Sequence, residues 1–597
     1  KPLVLADSAF RFYADTVHND IGTQIAGKPS DLLPGQQNLT LRAIEKDTDT
    51  GACVARITGQ QTVKMSFECI DPAVCKTANG VTIVDSILGG TGTAIQENPA
   101  AASPLNFSDV ELTFDATGTA SWSMIYHDAG IIKLHAQKEL AAAAPDPLIT
   151  LEGSSNEFVS VPAGFCVSSP DANSGCILSD ASCSEFRKAG EAFNLDVKAV
   201  AWQSNGETNT DFCTGNPVTP NFQLSNMTIG QNLVAPMPGA SGTAGVTTFD
   251  MVDGDDGDHN INNQSSSGVG IFTYTVTPPA YHGINLTPST SADIGRFTPD
   301  HFVVRNPDNG ILDASCSGNF TYIGQEFGYL VAPSFTIEAQ NADNIPTQNY
   351  KGNDWAKIRA NGSYTVSTVT EDETQVGTDG ATRLPIYHRL PTNRIVIHTD
   401  NNNGTFAARF GDDVFCYGDD DSIDNNGCKK LAASQIAAFD ADIELTLSGI
   451  SDGEISTSLT QNFSPTGSEQ RFGRLSMDNV FGSELNDLTM PMYVEVFDGS
   501  NFILNNGTAP MLGADNCSVV TTPDLDVTLS LTGGTSTVSV ISPTAANGVL
   551  DINLTAPGAG NTGDVIVGHQ VGTVDSWLRY DWDGDGEHDN DPTAIAT

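Results

Sequence analysis

Self-similarity constrains this chain more than any other feature. GIIKLHA begins at Gly130 and GIFTYTV at Gly270, each a glycine followed by apolar–polar alternation. A period of two marks a strand with one buried face. A second correspondence links 162–222 with 299–350. PAGF at 162–165 answers PDHF at 299–302, and AGEAF at 189–193 answers IGQEF at 323–327. The alternating runs LDVKAVAW and SFTIEAQN follow, and the segments close on TPNF at 219–222 and TQNY at 347–350. The N-terminal IAGKPSDLLPGQQNLTLRAIEKD fits the same template with an insertion. A spacing of roughly 130–140 residues is far beyond the 20–50 of solenoid repeats and implies tandem domains.

Strand patterns fill each repeat. TVKMSFECI, DVELTF, RIVIHT, DIELTLSGI, YVEVFDG, DVTLSLTG and STVSVIS alternate, with turn residues between them. Regular short strands with turn signals every 8–12 residues predict antiparallel β-sandwiches. The expected fold is all-β: tandem immunoglobulin-like antiparallel β-sandwich domains at about 1–147, 148–296, 297–450 and 451–597. Strand should exceed ~35% and helix stay under ~10%, set against average domains of roughly 30–35% helix. The two helical candidates, HAQKELAAAA at 135–144 and KKLAASQIAAF at 429–439, are short. His135 and His398 fall in alternating runs and read as strand residues.

Charge narrows the partners. The 597 residues carry 73 Asp and Glu against 27 Lys and Arg, a net charge of −46. Such a surface repels phosphate backbones and anionic lipid, which argues against nucleic acid and membrane-surface binding. No apolar run approaches the roughly 18 residues of a transmembrane helix, so no membrane insertion is expected. Lys1 in place of an initiating Met leads to the expectation of a processed product or a fragment.

The eleven cysteines form no CxxC pair and no zinc spacing. Several bracket short turn-rich segments, which suits disulfides and an oxidising, extracellular setting. Cys69 with Cys75, Cys416 with Cys428, and Cys166 with Cys176 are the expected pairs, because short loops close most easily. One cysteine of the odd number is left over.

Asp outnumbers Glu more than twofold, and Asp favours turns and oxygen-ligand loops. The sharpest cluster is Asp581, Asp583, Asp585, Glu587 and Asp589. Carboxylates at alternate positions with Gly586 after the third converge oxygens on one Ca²⁺, with Glu587 lending its carbonyl. Pro592 stands where an EF-hand has its bidentate Glu, so the loop is a DxDxDG type. Weaker Ca²⁺ candidates are Asp253, Asp255 and Asp258, and Asp419, Asp421 and Asp424 inside the Cys416/Cys428 bracket. The competing reading of every cluster is a hydrated acidic turn.

Signatures of catalysis are missing. No GxSxG, HExxH, P-loop or dinucleotide fingerprint is present, and GASGTAG at 239–245 has no helix after it. No catalytic residue is assigned, and the chain reads as non-enzymatic.

Two C-terminal stretches, RFGRLSMDNVFGSEL from Arg471 through TMPMYVEVFDGSNFILNN to Cys517, and WLRYDWDGDG from Trp577, resemble the C-terminal region of MshQ-type proteins of the mannose-sensitive haemagglutinin (MSHA) type IV pilus system. The opening FRFYAD…GTQIAGKP…FECIDPAVC and the central PDHFVV…FTYIGQEF…TQNY are similar to the same proteins. The family pattern often has a lectin-like sandwich upstream and a further short strand after TAIAT. The resemblance implies a secreted, pilus-linked surface protein and brings no catalytic residue. The reading is therefore an extracellular structural or adhesive protein partnered by pilus or other surface-filament proteins, with Ca²⁺ stiffening its loops. Two alternatives stay open: a secreted carbohydrate-binding or carbohydrate-active protein that meets surface glycans, and a self-assembling filament subunit whose partners are copies of itself.

Overall fold

The computed structural model describes residues 8–597 apart from 16–17, 47–52, 77–79, 99–105, 141–148, 204–210, 317–319, 369–370, 377–382, 390–393, 419, 425–426, 431–434, 506–523, 542–547, 572–575, 586–587 and 589. About 53% of the protein is strand and 3% helix. The alternating segments became strands because a period of two puts their Val, Ile, Leu and Phe on one face. The described part of the first helical candidate, 135–140, lies on the strand Gly130–Leu140 instead. Ile132, Leu134 and Ala136 alternate inward along it, and that alternation outweighs the helix propensity of Gln137, Lys138 and Glu139. The described part of the second ends in the strand Phe439–Asp440. His135 and His398 lie on strands.

Contacts divide the chain into two compact units, 1–300 with 341–350, and 301–340 with 351–597. The first unit opens with one large sheet network. Its main path runs Ser8–Tyr13, Leu39–Lys46, Thr119–Tyr126, Val81–Asp85, Thr93–Glu97, Gly59–Asp71, Gly130–Leu140, Phe158–Val161 and Gln24–Ile25. The inner face buries Phe10, Leu41, Phe67, Trp122 and Tyr126 in one cluster. Ile149–Ser154 pairs with Gly130–Leu140 in this same network. The first sandwich therefore runs to Val161 rather than to 147, because its closing strands lie beyond that point. A second sandwich follows, with Gly164–Ser168, Phe193–Val200 and Asp258–Gln264 in one sheet and Leu224–Ala235, Gly270–Thr277 and Ile294–Thr298 in the other. Its core is a set of edge-to-face rings built on Phe186, Phe193, Tyr274 and Phe297.

The second unit contains the sheet His301–Asp308, Ser334–Gln340, Thr405–Phe410 and Ile395–Asp400, facing strands that include Ser363–Thr368, Leu445–Ser451 and Ser456–Phe463. A last sandwich pairs Gly473–Met477, Leu488–Phe497, Val549–Leu554 and Val538–Val540 against Asp524–Leu531, Gly563–Gln570 and Thr593–Ala596.

The internal repeat has two physical causes. The glycines that open the matched strands share one strained geometry. Gly130 has φ +137° and Gly270 φ +138°, and a Cβ would meet the carbonyl oxygens of Asp71 at 2.5 Å and Ala235 at 2.4 Å. Only glycine fits such an approach. The second cause is a parallel closure. A short strand before each domain's second long strand pairs with that domain's last strand: Ile25 with Val161, Lys188 with Thr298, and Tyr322 with Arg471. Val480 with Ala596 is the fourth instance.

Candidate functional site

The acidic loops fare differently from one another. Asp581, Asp583 and Asp585 each bring a carboxylate oxygen within 4.8 Å of the other two. The turn is held by backbone donors, from Gly584 N–H to Asp581 Oδ1 at 2.6 Å and from Asp585 N–H to the same oxygen at 3.0 Å. Asn590 Oδ1 accepts from Trp582 N–H at 2.8 Å and closes the loop from the far side. This donor set suits a hard cation that takes oxygen ligands. Glu587 and Asp589 lie outside the described residues.

The carboxylates of 253–258 do not converge. Asp253 Oδ1 lies 3.1 Å from Lys76 Nζ, and Asp256 pairs with the same ammonium. Asp255 turns to His259 at 3.1 Å, and Asp258 to Lys198 at 2.6 Å. Lys76, His259 and Lys198 draw these acids apart, so the expected Ca²⁺ loop at Asp253, Asp255 and Asp258 is instead a set of separate side-chain pairs. The Lys76 ammonium is raised above its ordinary value by its bond to Asp256 and by Asp253. In the bracket at 416–428, Asp421 and Asp424 fall on the strand Asp420–Asp424, paired with Gly427–Lys429. Two paired strands occupy the described part of that bracket. Asp419 lies outside the described residues.

Disulfides join Cys69 to Cys75 and Cys416 to Cys428. The expected Cys166–Cys176 bridge is replaced by two others. Cys176 closes on Cys183, seven residues away, and Cys166 on Cys213, with Cα atoms 4.6 Å apart. The shorter closure won Cys176, which is the loop-length argument applied to the right neighbour. Cys316 is also disulfide-bonded. Cys53 is exposed and free.

The best-formed polar site was not foreseen. Asn221, from the repeated TPNF, is buried where the second sandwich meets the first. Its N–H donates to Asp128 Oδ1 at 3.0 Å, and its Nδ2 to Tyr126 Oη at 3.1 Å. Its Oδ1 accepts from Lys76 N–H at 2.8 Å. Ser160 Oγ donates to the Asp128 carbonyl at 2.8 Å. Burial, then the neighbouring Asp128, pushes the Tyr126 phenol far up, so it stays a neutral hydroxyl. Beside this cluster Trp202 N–H donates to the Ala26 carbonyl at 2.8 Å.

The matching residue of TQNY, Asn349, repeats the device inside the same unit. Its Nδ2 donates to the carbonyls of Ala240 at 2.7 Å and Val269 at 2.9 Å, and its Oδ1 accepts from Ala240 N–H at 2.8 Å. Ala342 N–H donates to the Ala189 carbonyl at 2.9 Å, as Trp202 does to Ala26. In the second unit Asn505 Nδ2 donates to Tyr322 Oη at 2.7 Å. There Lys430, 3% exposed, donates to the carbonyls of Gly473 at 2.5 Å and Trp577 at 2.6 Å, over the ring of Phe472. The signal in the sequence was the asparagine at the same repeat position in two repeats. Nothing in one repeat reveals which surface it meets.

Two constellations resemble chemistry without assembling it. Ser154 Oγ lies 2.8 Å from His135 Nδ1, and His135 Nε2 lies 2.9 Å from Glu68. They stand on the outer face of the strand Gly130–Leu140 as cross-strand neighbours, a ladder rather than a cleft. The rings of Phe502, Tyr580 and Trp582 lie 3.6, 5.0 and 5.1 Å from the Arg474 guanidinium carbon. An arginine, rather than a sugar, stacks on this group. No helix of the described residues is long and apolar enough to cross a membrane.

No curated protein matches the chain. Among solved structures it is similar to the D0-D1 domain of intimin, at 11% identity over 49% of this chain and 100% of that one, with a TM-score of 0.14. It is similar to InvD of Yersinia pseudotuberculosis at 10% identity over 77% and 97%, with a TM-score of 0.23. A third is surface layer protein SbsC, domains 1-6, at 9% identity over 91% and 55%, with a TM-score of 0.17. Four family models match in succession: DUF6701, a domain of unknown function described as the first Ig-like domain, over 2–154, then its second domain over 161–265, its third over 268–473 and its fourth over 471–597. With all four models matched in order along nearly its whole length, the chain belongs to the DUF6701 family.

Proposed function

We propose that this chain is a non-enzymatic, extracellular structural and adhesive protein, a stiff spacer that carries a binding end away from the cell as part of a type IV pilus or related surface filament, in keeping with its resemblance to MSHA pilus proteins. One observation carries the reading. The joint between the first two sandwiches is fastened by Asn221, whose buried side chain bonds Tyr126 Oη and Lys76 N–H and whose backbone N–H donates to the Asp128 carboxylate, where a flexible linker would leave backbone in water. Such a buried network favours one geometry, because any other leaves these polar groups unpaired. Disulfide staples and the excess of surface acid suit an oxidising exterior. The test is surface labelling on cells that carry the chain naturally. Antibody against it should decorate intact cells and sheared filaments. Signal confined to broken cells would overturn the reading.

The loop at Asp581, Asp583 and Asp585 supplies a Ca²⁺ site to this design. Without a cation, three carboxylates this close repel one another. Lacking the bidentate Glu, the site belongs with weak extracellular sites of roughly 10⁻⁴–10⁻³ M. At about tenfold excess over its Kd, Ca²⁺ should stabilise the folded chain by about 1.4 kcal/mol. Thermal melts of the full chain in EDTA and in about 10 mM CaCl₂ check this. The shift should vanish in the Asp583→Ala/Asp585→Ala variant. A midpoint that ignores Ca²⁺, or a variant that keeps the shift, marks the loop as a hydrated turn.

A further inference from the structure

The second sandwich departs from its repeat at one place. PAGF at 162–165 answers PDHF at 299–302, so Gly164 stands where the later repeat has His301, and Cys166 where it has Val303. The later repeat forms its strand without either residue, so the fold does not require them. Their effect is local. Phe212 lays its ring on Gly164, where a Cβ would lie 2.3 Å from a ring carbon, and only glycine permits that approach. The next residue, Cys213, is bonded to Cys166. One glycine and one disulfide thus fix a half-buried aromatic ring against the edge strand Gly164–Ser168.

Phe212 lines a cavity of about 390 Å³, within the roughly 300–1,000 Å³ of small-molecule sites. Phe165, Val167 and Ile294 are its other large apolar residues. Its polar lining is Asp211, Asp293, four serines and one threonine. Asp293 is held from the second disulfide loop. Ser179, inside the Cys176–Cys183 ring, donates its hydroxyl to Asp293 Oδ2, and Cys176 N–H donates to the Asp293 carbonyl at 3.4 Å. Ser179 does so at φ +55°, a left-handed backbone uncommon for serine. Among the described residues nothing donates to the other carboxylate oxygen, Asp293 Oδ1. Asp211 accepts from Cys213 N–H at 3.0 Å and from Thr214 Oγ1 at 2.9 Å, and a carboxylate with two such bonds keeps lone pairs for more. Among the described residues no lysine, arginine or histidine lines the cavity.

We propose that this cavity binds an uncharged pyranose residue of a glycan, with a C–H face of the sugar on the ring of Phe212 and its hydroxyls donating to Asp211 and Asp293. A pyranose matches both halves of the lining. It has an apolar face for an aromatic ring, and hydroxyls around its rim that donate to carboxylates and exchange bonds with serines. Two carboxylates with no cation beside them repel a sugar acid, a sulfate or a phosphate. A purely apolar ligand would cover Asp293 Oδ1 without bringing it a donor. The inference deepens the adhesive reading and rests on it for its setting, since it names the class of ligand that such a protein would meet on another surface.

The experiment is saturation-transfer difference NMR on the full chain, in EDTA so that the Ca²⁺ loop plays no part. The probes are the methyl glycosides of glucose, galactose, mannose and N-acetylglucosamine, with glucosamine as a cation and glucuronate as an anion. At least one methyl glycoside should bind with a Kd of about 1 mM. Its affinity should be the same at about 50 and about 500 mM NaCl, because salt does not screen a neutral ligand. Glucuronate should bind at least about tenfold more weakly. Asp293→Asn keeps the acceptor of Ser179, and Phe212→Leu keeps an apolar side chain against Gly164. Both variants should therefore melt close to wild type while their affinity falls about tenfold. No binding by any methyl glycoside would overturn the proposal. So would glucuronate binding as well as the neutral sugars, glucosamine binding best and weakening with salt, or either folded variant binding like wild type. Surface labelling reads the adhesive reading separately: a chain found on filaments that binds no sugar removes this inference alone, and a sugar-binding chain confined to broken cells removes the adhesive reading alone.

Discussion

Asn221→Ala should destabilise the first unit by roughly 2–5 kcal/mol and uncouple its two sandwiches. The substitution removes the acceptor of Lys76 N–H and the donor to Tyr126 Oη, and each buried group left unpaired costs about 1–3 kcal/mol. The backbone bond from residue 221 to Asp128 survives, so the loss belongs to the side chain. For a unit of this size each kcal/mol is worth roughly 2–4 °C, and the transition of the unit should drop by roughly 5–15 °C. Calorimetry of the full chain reads it, and separated transitions for the two sandwiches would mark the lost coupling. Asn221→Asp keeps the shape but replaces the donor with a carboxylate beside Asp128. Burial and that like charge raise the new carboxyl's pKa, so its neutral, donating form returns as pH falls. Part of the loss should therefore be recovered in acid. An unchanged transition in both variants would show that the asparagine fills space and no more.

Strands were legible where one face of the segment is buried. Gly130–Leu140 alternates strictly enough that its helix-favouring run Gln137, Lys138 and Glu139 stays strand. The repeat was legible for the same reason, since Gly130 and Gly270 answer to one steric demand. Partners across the fold were not. Cys166 reached Cys213 because the chain between them folds back over the strand Gly164–Ser168, and spacing alone carries no trace of that. The acids at 253–258 look like those at 581–585 in sequence. They differ in that Lys76 and Lys198 draw the first set apart, whereas the carboxylates of the second converge. The junction asparagines were visible as a matched pair, Asn221 and Asn349, but their role depends on surfaces more than 90 residues away in the chain for Tyr126.

Lys430→Ala should cost the second unit roughly 3–5 kcal/mol. It empties the space over Phe472 and leaves the carbonyls of Gly473 and Trp577 without their donor, which combines a cavity loss with unpaired polar groups. Lys430→Met keeps the packing and should cost less, because it also removes a desolvated ammonium. The two variants differ further from wild type in their response to pH. Burial, reinforced by Arg474, holds the Lys430 ammonium well below its ordinary value of 10.5. Between the folded value and 10.5 the unfolded chain holds a proton that the folded one has released. Stability then rises with pH across that window, and the lysine weighs against the fold most heavily on the acid side of it. Methionine cannot titrate, so the stability of wild type relative to Lys430→Met should grow as pH is raised from about 7 to about 10. Tyrosines such as Tyr329, pushed up by burial and by Asp413, oppose this at the alkaline end, but they are common to both proteins and cancel in the difference. Denaturant unfolding of the full chain at both pH values checks the sign. A difference that stays flat would mean that Lys430 keeps its ordinary proton affinity, and that its charge is met by the two carbonyls and the face of Phe472 at no net cost.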